Sequence, residues 1–326
     1  MPPGHPGAGV RQRRRPVDLQ VSVGAVELPN PVLCASGTAG YGTELAGVMD
    51  LTAPGAVVVK SLSAEPWPGN PAPRVDATPA GMINSVGLQG PGVAAWAAEQ
   101  LPALRAAGVR VVASIWGRTV EEYRRAAELL APHRDGILAL EVNLSCPNLE
   151  GGEHLFARAP ESAAAATEAS AAAGLPRWAK LSLVAPDIVT VAAAVREAGA
   201  AAVTLINTVP GMVIDIAERR PVLGAGAGGV SGPAIRPLAV RAVWETHAAF
   251  GDLPIVAAGG VARGDDAVEM LMAGACAVQV GTATFASPRA PERVCAELTA
   301  WCRRRRVERV RELTGAAHRA RQQGAS

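Results

Sequence analysis

Between positions 143 and 148 the chain reads Asn143-Leu-Ser-Cys-Pro-Asn148, a thiol set between two carboxamides at the end of an apolar run that begins at Ile137. A carboxamide offers two donors and an acceptor, so an asparagine pair suits a planar amide or imide ligand. Between them, Cys146 can take a proton if its pKa is lowered, because the thiolate is the reactive form. The same residues also fit a plain strand-end turn, with Pro147 stopping the strand and Asn148 capping the next segment. The hexapeptide alone leaves both readings open.

Other polar residues also fall where apolar runs stop. They are Lys60-Ser61, Lys180, Asn207-Thr208, Gly259-Gly260 and Gly281-Thr282. Glycine lets backbone N–H groups approach an anion, and the loops after the last two strands of an α/β barrel commonly hold phosphate. Gly259-Gly260 could equally make only a tight turn, and a lysine inside an apolar strand often serves as a buried ion-pair partner. Two glycine-bearing loops at the two expected strands favour phosphate. A phosphate anchor with two lysines suits FMN, with Lys180 placing positive charge near the N1/O2 edge of the reduced flavin.

These residues need a frame, and the chain supplies a repeating one. Eight short apolar runs lie near 31–35, 56–60, 109–115, 138–144, 178–183, 202–206, 254–258 and 277–280. They are β-branched or nearly continuously apolar, as parallel strands covered on both faces should be. Helix-like segments separate most of them, at 93–107, 120–130, 160–173, 188–198, 234–249, 267–273 and 291–304. The alternation predicts an α/β fold, a (β/α)8 TIM barrel, with its chemistry at the C-terminal ends of the strands. A Rossmann sheet is the alternative, but no Gly-x-Gly-x-x-Gly follows the first strand. Residues 17–27 read as a short N-terminal hairpin. The stretch 211–229, between strands six and seven, is too long for a simple loop and reads as an excursion over the site. The expected organisation is a disordered tail at 1–16, one barrel domain over 17–312 and a flexible tail at 313–326.

Composition bounds the remaining possibilities. A chain of 326 residues can bury one large core. Aromatics are only 3%, so Ala, Val, Leu and Ile must build that core. A formal charge of +2 argues against a general nucleic-acid surface. The basic runs Arg11–Arg15 and Arg303–Arg306 read as solvated charge. The five cysteines are scattered without metal-ligand spacing, so no metal site is expected, and Cys34, Cys276, Cys295 and Cys302 read as core thiols. No signal-peptide pattern or long apolar span is evident, which predicts a cytoplasmic chain with reduced thiols and no membrane association.

In its wider context the hexapeptide resembles the loop that carries the catalytic cysteine in the dihydroorotate dehydrogenase family. The resemblance runs from about Leu19 to Val310. It includes Asn70-Pro-Ala-Pro-Arg-Val75, Gly81-Met-Ile-Asn-Ser-Val-Gly-Leu-Gln89, Ile206-Asn-Thr-Val-Pro-Gly-Met212, Gly228-Gly-Val-Ser-Gly-Pro-Ala-Ile235 and Met272-Ala-Gly-Ala275. The ordered set is specific where no single piece is. It implies flavin contacts from Ser36, Lys60, Ser61, Ser114, Lys180, Ile206, Gly232, Gly259, Gly260, Gly281 and Thr282. It implies orotate contacts from Lys60, Asn84, Gly87, Leu88, Asn143, Asn148, Asn207 and Thr208, with Cys146 as the base. Three departures stand out. Ser114 replaces the usual asparagine near the flavin, Gly90 an asparagine after Gly-Leu-Gln, and Leu183-Val184-Ala185 a Pro-Asn type of stretch.

The wording of these motifs is closest to the NAD-linked, two-subunit branch, class 1B. That branch implies FMN on this chain and a homodimer, with FAD and a 2Fe-2S cluster on a separate electron-transfer subunit. Quinone-linked relatives usually lead with a membrane-associating segment that is not recognisable here. The implied reaction is oxidation of (S)-dihydroorotate to orotate in pyrimidine biosynthesis. Two alternatives are a flavin reductase of a related pyrimidine or imide, and a non-catalytic flavin-binding paralogue.

Overall fold

Eight runs of small and β-branched residues become the staves of a closed parallel barrel. The computed structural model of the chain describes residues 16–145, 147–148, 154–185 and 187–324. β1 (Val21–Val23) and β2 (Val26–Leu28) pair as an antiparallel hairpin. β3 (Val32–Cys34) and β4 (Ala56–Val58) start the barrel, and β5 (Val75–Thr78) and β6 (Gly81–Asn84) form a second hairpin outside it. β7 (Val111–Ile115) and β8 (Ala139–Asn143) continue the barrel, while β9 (Pro147–Asn148) and β10 (His154–Leu155) pair antiparallel. β11 (Arg177–Leu181) and β12 (Ala202–Leu205) are the next two staves. β13 (Val209–Gly211), β14 (Ile214–Asp215), β15 (Arg220–Pro221) and β16 (Gly228–Ser231) form an excursion. β17 (Ile255–Ala258) and β18 (Ala277–Val280) complete the closed order β3-β4-β7-β8-β11-β12-β17-β18.

Ten α-helices accompany these strands among the described residues: α1 (Val93–Glu99), α2 (Leu101–Ala106), α3 (Val120–Leu130), α4 (Pro160–Ala169), α5 (Ile188–Glu197), α6 (Arg236–Ala249), α7 (Gly264–Ala273), α8 (Ala283–Ala286), α9 (Ala290–Arg305) and α10 (Ala316–Gly324). Local chemistry explains where they start. The Thr119 hydroxyl accepts from the Glu122 N–H at 3.1 Å to open α3, whose first turn carries Glu121 and Glu122 at the positive end of the helix dipole. Asp187 does the same for α5 by accepting from the Val189 N–H at 2.9 Å. On its inner face α3 buries Tyr123, Ala126, Ala127 and Leu130, and α5 buries Ile188, Val191, Ala192 and Val195. Barrel strands are buried along nearly their whole length, so alternation is absent from them.

The eight expected strands all occur within a few residues of their predicted places, and the N-terminal hairpin and the excursion are present. Three stretches stand outside that agreement. β5 and β6 lie inside a stretch read only as a motif, and β6 pairs with β16 through Val230↔Ile83 in a four-stranded sheet, β13-β16-β6-β5. The excursion is therefore zipped to the Gly81–Asn84 strand. Secondly, the stretch read as a flexible tail at 313–326 carries a helix, α10, over Ala316–Gly324. Leu313 is buried, and α10 packs on α7 with the His318 ring stacked on Trp244, centroids 3.5 Å apart. A polar 3.6-residue pattern with one aromatic anchor is a weak signal until its partner is known. Thirdly, of the expected disordered tail at 1–16 only Pro16 lies among the described residues. No described helix is long and apolar enough to cross a membrane.

Candidate active site

A cavity of about 620 Å³ opens over the C-terminal ends of the barrel strands. This is within the usual range for small-molecule sites of about 300–1,000 Å³. Its lining includes the glycine loops after β17 and β18, Gly259-Gly260 and Gly281-Thr282, with Gly232 and Ile206. It also includes Lys60, Asn84, Gly87, Leu88, Asn143, Asn207 and Thr208. Ser36, Ser61 and Lys180 line the same cavity. Cys146 lies outside the described residues; Asn148 is placed only as backbone in β9.

The amide wall is internally cross-linked. Asn207 Nδ2 donates to Asn143 Oδ1 at 3.0 Å, and Asn143 Nδ2 donates to Ser61 Oγ at 3.2 Å. The Asn143 carbonyl accepts from the Tyr123 hydroxyl at 2.6 Å, which ties the end of β8 to α3. Asn84 Nδ2 reaches the Gly229 carbonyl at 3.3 Å across the sheet that β6 and β16 share. Here glycine is a spatial requirement: a Cβ on Gly229 would stand 2.0 Å from the Thr208 hydroxyl oxygen. Ser114, expected among the flavin contacts, is fully buried and does not line the cavity. Its hydroxyl lies 2.8 Å from that of Ser61, so the shorter side chain supports a lining residue instead of reaching the cavity itself.

Around Lys180 is a buried polar cluster. Lys180 Nζ donates to Glu141 Oε1 at 3.1 Å and to Gln279 Oε1 at 3.3 Å. Glu141 also accepts from Gln279 Nε2 at 2.6 Å and from the Thr204 hydroxyl at 3.2 Å. A fully buried carboxylate is stable only with such partners. Lys60 is different. Among the described residues no carboxylate forms an ion pair with it, and burial, with the Arg74 guanidinium adding repulsion, holds its ammonium below the usual lysine range. The cavity thus carries a mostly buried cation without a counter-ion among the described residues.

The residues fit a planar, polar, anionic cofactor. Ser145 and Trp116 line the cavity, and Ser145 Oγ and Trp116 Nε1 are buried polar atoms without a hydrogen-bond partner among the described residues. Gly260, at φ +77°, packs against the first turn of α6 so closely that a Cβ would stand 2.6 Å from the Arg236 Cβ. Backbone therefore borders the cavity at that turn. The remaining thiols behave as core groups: burial pushes Cys34 up to about 12 and Cys276 up to about 11, which leaves both protonated.

The family model for dihydroorotate dehydrogenase matches residues 18–301. The chain belongs to the dihydroorotate dehydrogenase family. A protein from Desulforudis audaxviator (strain MP104C), named dihydroorotate dehydrogenase B (NAD(+)), catalytic subunit, is 47% identical over 304 residues, covering 93% of this chain and 98% of its own. A protein of the same name from Geobacter sp. (strain M21) is 42% identical over 300 residues, 92% of this chain and 98% of its own. Within this dihydroorotate dehydrogenase fold, sequence reasoning missed Glu141, Gln279 and Trp116. For the first two a signal existed: each is a lone polar side chain inside an apolar strand, Ala-Leu-Glu141-Val and Ala-Val-Gln279-Val. Trp116 carried none, since a tryptophan after an apolar strand is ordinarily core.

Proposed function

We propose that this chain is the FMN-binding catalytic subunit of a class 1B dihydroorotate dehydrogenase that oxidises (S)-dihydroorotate to orotate in pyrimidine biosynthesis. The observation that carries the reading is a single cavity lined both by Asn84, Asn143, Asn207 and Lys60 and by the glycine loops that follow β17 and β18. A ligand edged by alternating C=O and N–H groups with one carboxylate matches the amides and the lysine, and a flavin phosphate matches the glycine loops. Buried amides discriminate strongly, because an ill-matched ligand leaves them unpaired.

Gly232, Gly259, Gly260, Gly281 and Thr282 would hold the FMN phosphate, and Ser36, Ser61, Ile206 and Lys180 would contact the rest of the cofactor. When bound, FMN supplies the acceptor for the hydride leaving C6 of the substrate. Cys146, as thiolate, takes the proton from C5, so proton and hydride together account for the two hydrogens lost. Asn84, Asn143, Asn148, Asn207 and Thr208 orient the pyrimidine edge, Gly87 and Leu88 supply backbone contacts, and Lys60 neutralises the carboxylate. Lys180, fixed by Glu141, keeps positive charge under the site at the moment negative charge arrives there. A separate subunit bearing FAD and a 2Fe-2S cluster would supply the electron acceptor, and the catalytic subunit itself would be a homodimer.

Anaerobic mixing of the purified chain with dihydroorotate tests the reading: flavin absorbance should bleach within the mixing experiment. FAD instead of FMN in the denatured extract, or no bleaching with full FMN loading, would sink it. A flavin reductase of a related imide would bleach with that compound and not with dihydroorotate.

A further inference from the structure

We propose that Arg236 and Asp266 are positioning residues for the cofactor phosphate. Together they brace two cavity-lining segments, Gly232–Ile235 and Gly259–Gly260, at a set separation. The inference rests on the FMN reading. It concerns neither the base, the amide wall nor any residue that lines the phosphate region directly.

After β17 the chain turns through Gly259-Gly260 and enters α7 at Gly264. One carboxylate oxygen of Asp266, in the first turn of α7, accepts from the N–H groups of Ala262 and Arg263, both at 3.0 Å. The other oxygen pairs with Nη1 of Arg236, the first residue of α6. Arg236 Nε also pairs with Glu269 at 3.0 Å. The Asp266 side chain is only 8% exposed, so this carboxylate is committed to the loop and to the guanidinium.

An N-cap for α7 would need only the backbone bonds to Asp266. Arg236 adds a link to another element. Ile235, its neighbour in sequence, lines the cavity, and Gly260 packs on the backbone of Arg236 itself. A ridge of charge behind the cavity thus ties the wall from α6 to the wall from β17. Backbone donors act on a phosphate only when several of them converge on it, so their mutual spacing sets affinity. A displacement of about 1 Å can cost on the order of a hundredfold where several groups must act together.

Riboflavin separates phosphate positioning from general stability, because it carries the same ring without the phosphate. The full-length chain, stripped of flavin, is titrated with FMN and with riboflavin, and the ratio of the two dissociation constants is compared across variants. In Arg236→Gln and Asp266→Asn the FMN constant should rise by on the order of tenfold or more, while the riboflavin constant stays within about twofold. Arg236→Lys should recover part of the loss, since charge survives and the fork geometry does not. Arg241→Ala, on the same helix and in an exposed pair with Glu245, should leave the ratio unchanged. An unchanged ratio in the first two variants overturns the proposal, whether both affinities hold or both fall together. If Asp266→Asn does not fold, Arg236→Gln alone decides. A wild-type chain that binds FMN no better than riboflavin would instead overturn the FMN reading.

Discussion

Asn143 shows how much a single residue does here. Its carbonyl, its amide oxygen and its amide nitrogen each meet a different element, through Tyr123, Asn207 and Ser61. Such a side chain has little freedom to rotate, so the pyrimidine edge would meet a preformed pattern of donors and acceptors. Cys146 lies three residues further along, and its test is kinetic. Cys146→Ala should retain FMN while flavin bleaching by dihydroorotate slows by about 10²–10⁴-fold, the range for a positioned base; bleaching at the wild-type rate would remove Cys146 from the role. Glu141 is a structural wager of another kind. Glu141→Gln leaves Lys180 as a buried cation without a counter-charge, and the expected cost is about 3–5 kcal/mol in denaturant unfolding. A shift below about 1 kcal/mol would mean that the cluster is not holding Lys180. Lys60 links the site to pH. An anionic ligand favours the protonated lysine, so orotate binding should weaken as pH rises through the free-protein pKa. Because burial lowers that pKa, the loss should set in below the range of an exposed lysine. Lys60→Arg, which keeps its charge, should give a flat profile over the same alkaline interval.

Among the elements, the turn after β17 and the turn after β18 look alike in sequence and differ in physics. Gly260 sits at φ +77° against the backbone of Arg236. Gly260→Ala should therefore cost stability, about 1–2 kcal/mol from the left-handed conformation alone, as well as FMN. Gly281 has ordinary backbone angles, and an added Cβ would meet only Ala35 at 3.3 Å and Thr38 at 3.7 Å. Gly281→Ala should keep its unfolding midpoint and lose FMN affinity, because only the cofactor's approach is obstructed. Equal thermal stability of the two variants would contradict this distinction. α10 offers a second test. His247 is held below the usual histidine range by burial first, then by His318 and Arg319. The unfolded chain thus binds the proton more readily, and this group's contribution to stability falls as pH drops below about 6.5. His247→Gln should flatten the acidic limb of the stability curve.

For the whole molecule, the question is where electrons go. The relatives that cover nearly all of this chain are named as catalytic subunits. The chain carries no dinucleotide fingerprint, and among the described residues Cys34, Cys276, Cys295 and Cys302 are scattered as free thiols. The isolated chain should therefore pass electrons to artificial acceptors or oxygen and make NADH from dihydroorotate only slowly. Adding a subunit with FAD and a 2Fe-2S cluster should restore NADH formation. Efficient NAD reduction by the chain alone would overturn the two-subunit reading, and rapid fumarate reduction would point to the single-subunit branch. Arg303 to Arg306, exposed at the end of α9 with Arg305 over the Trp301 ring, are one place to look for loss of coupling on charge reversal.

By itself the sequence determined the eight staves and the end of the barrel at which polar residues collect. Buried parallel strands are apolar along most of their length, so a polar residue that stops a run marks a strand end, and in a barrel all strand ends of one sense share a face. That is why Lys60, Asn143, Asn207, Gly259 and Gly281 could be read as neighbours from positions far apart. Tertiary structure alone decided the rest. Nothing local in Gly81–Asn84 announces that it will pair with Gly228–Ser231, because strand pairing is a long-range choice made by register and by space. Nothing local at Ser114 announces that its hydroxyl lies beside that of Ser61. The joining of Arg236 to Asp266, and of Lys180 to Glu141, depends on which helix and strand faces meet. A charged side chain on its own reads as solvated surface; only the packing of its neighbours removes the water and makes the partner obligatory.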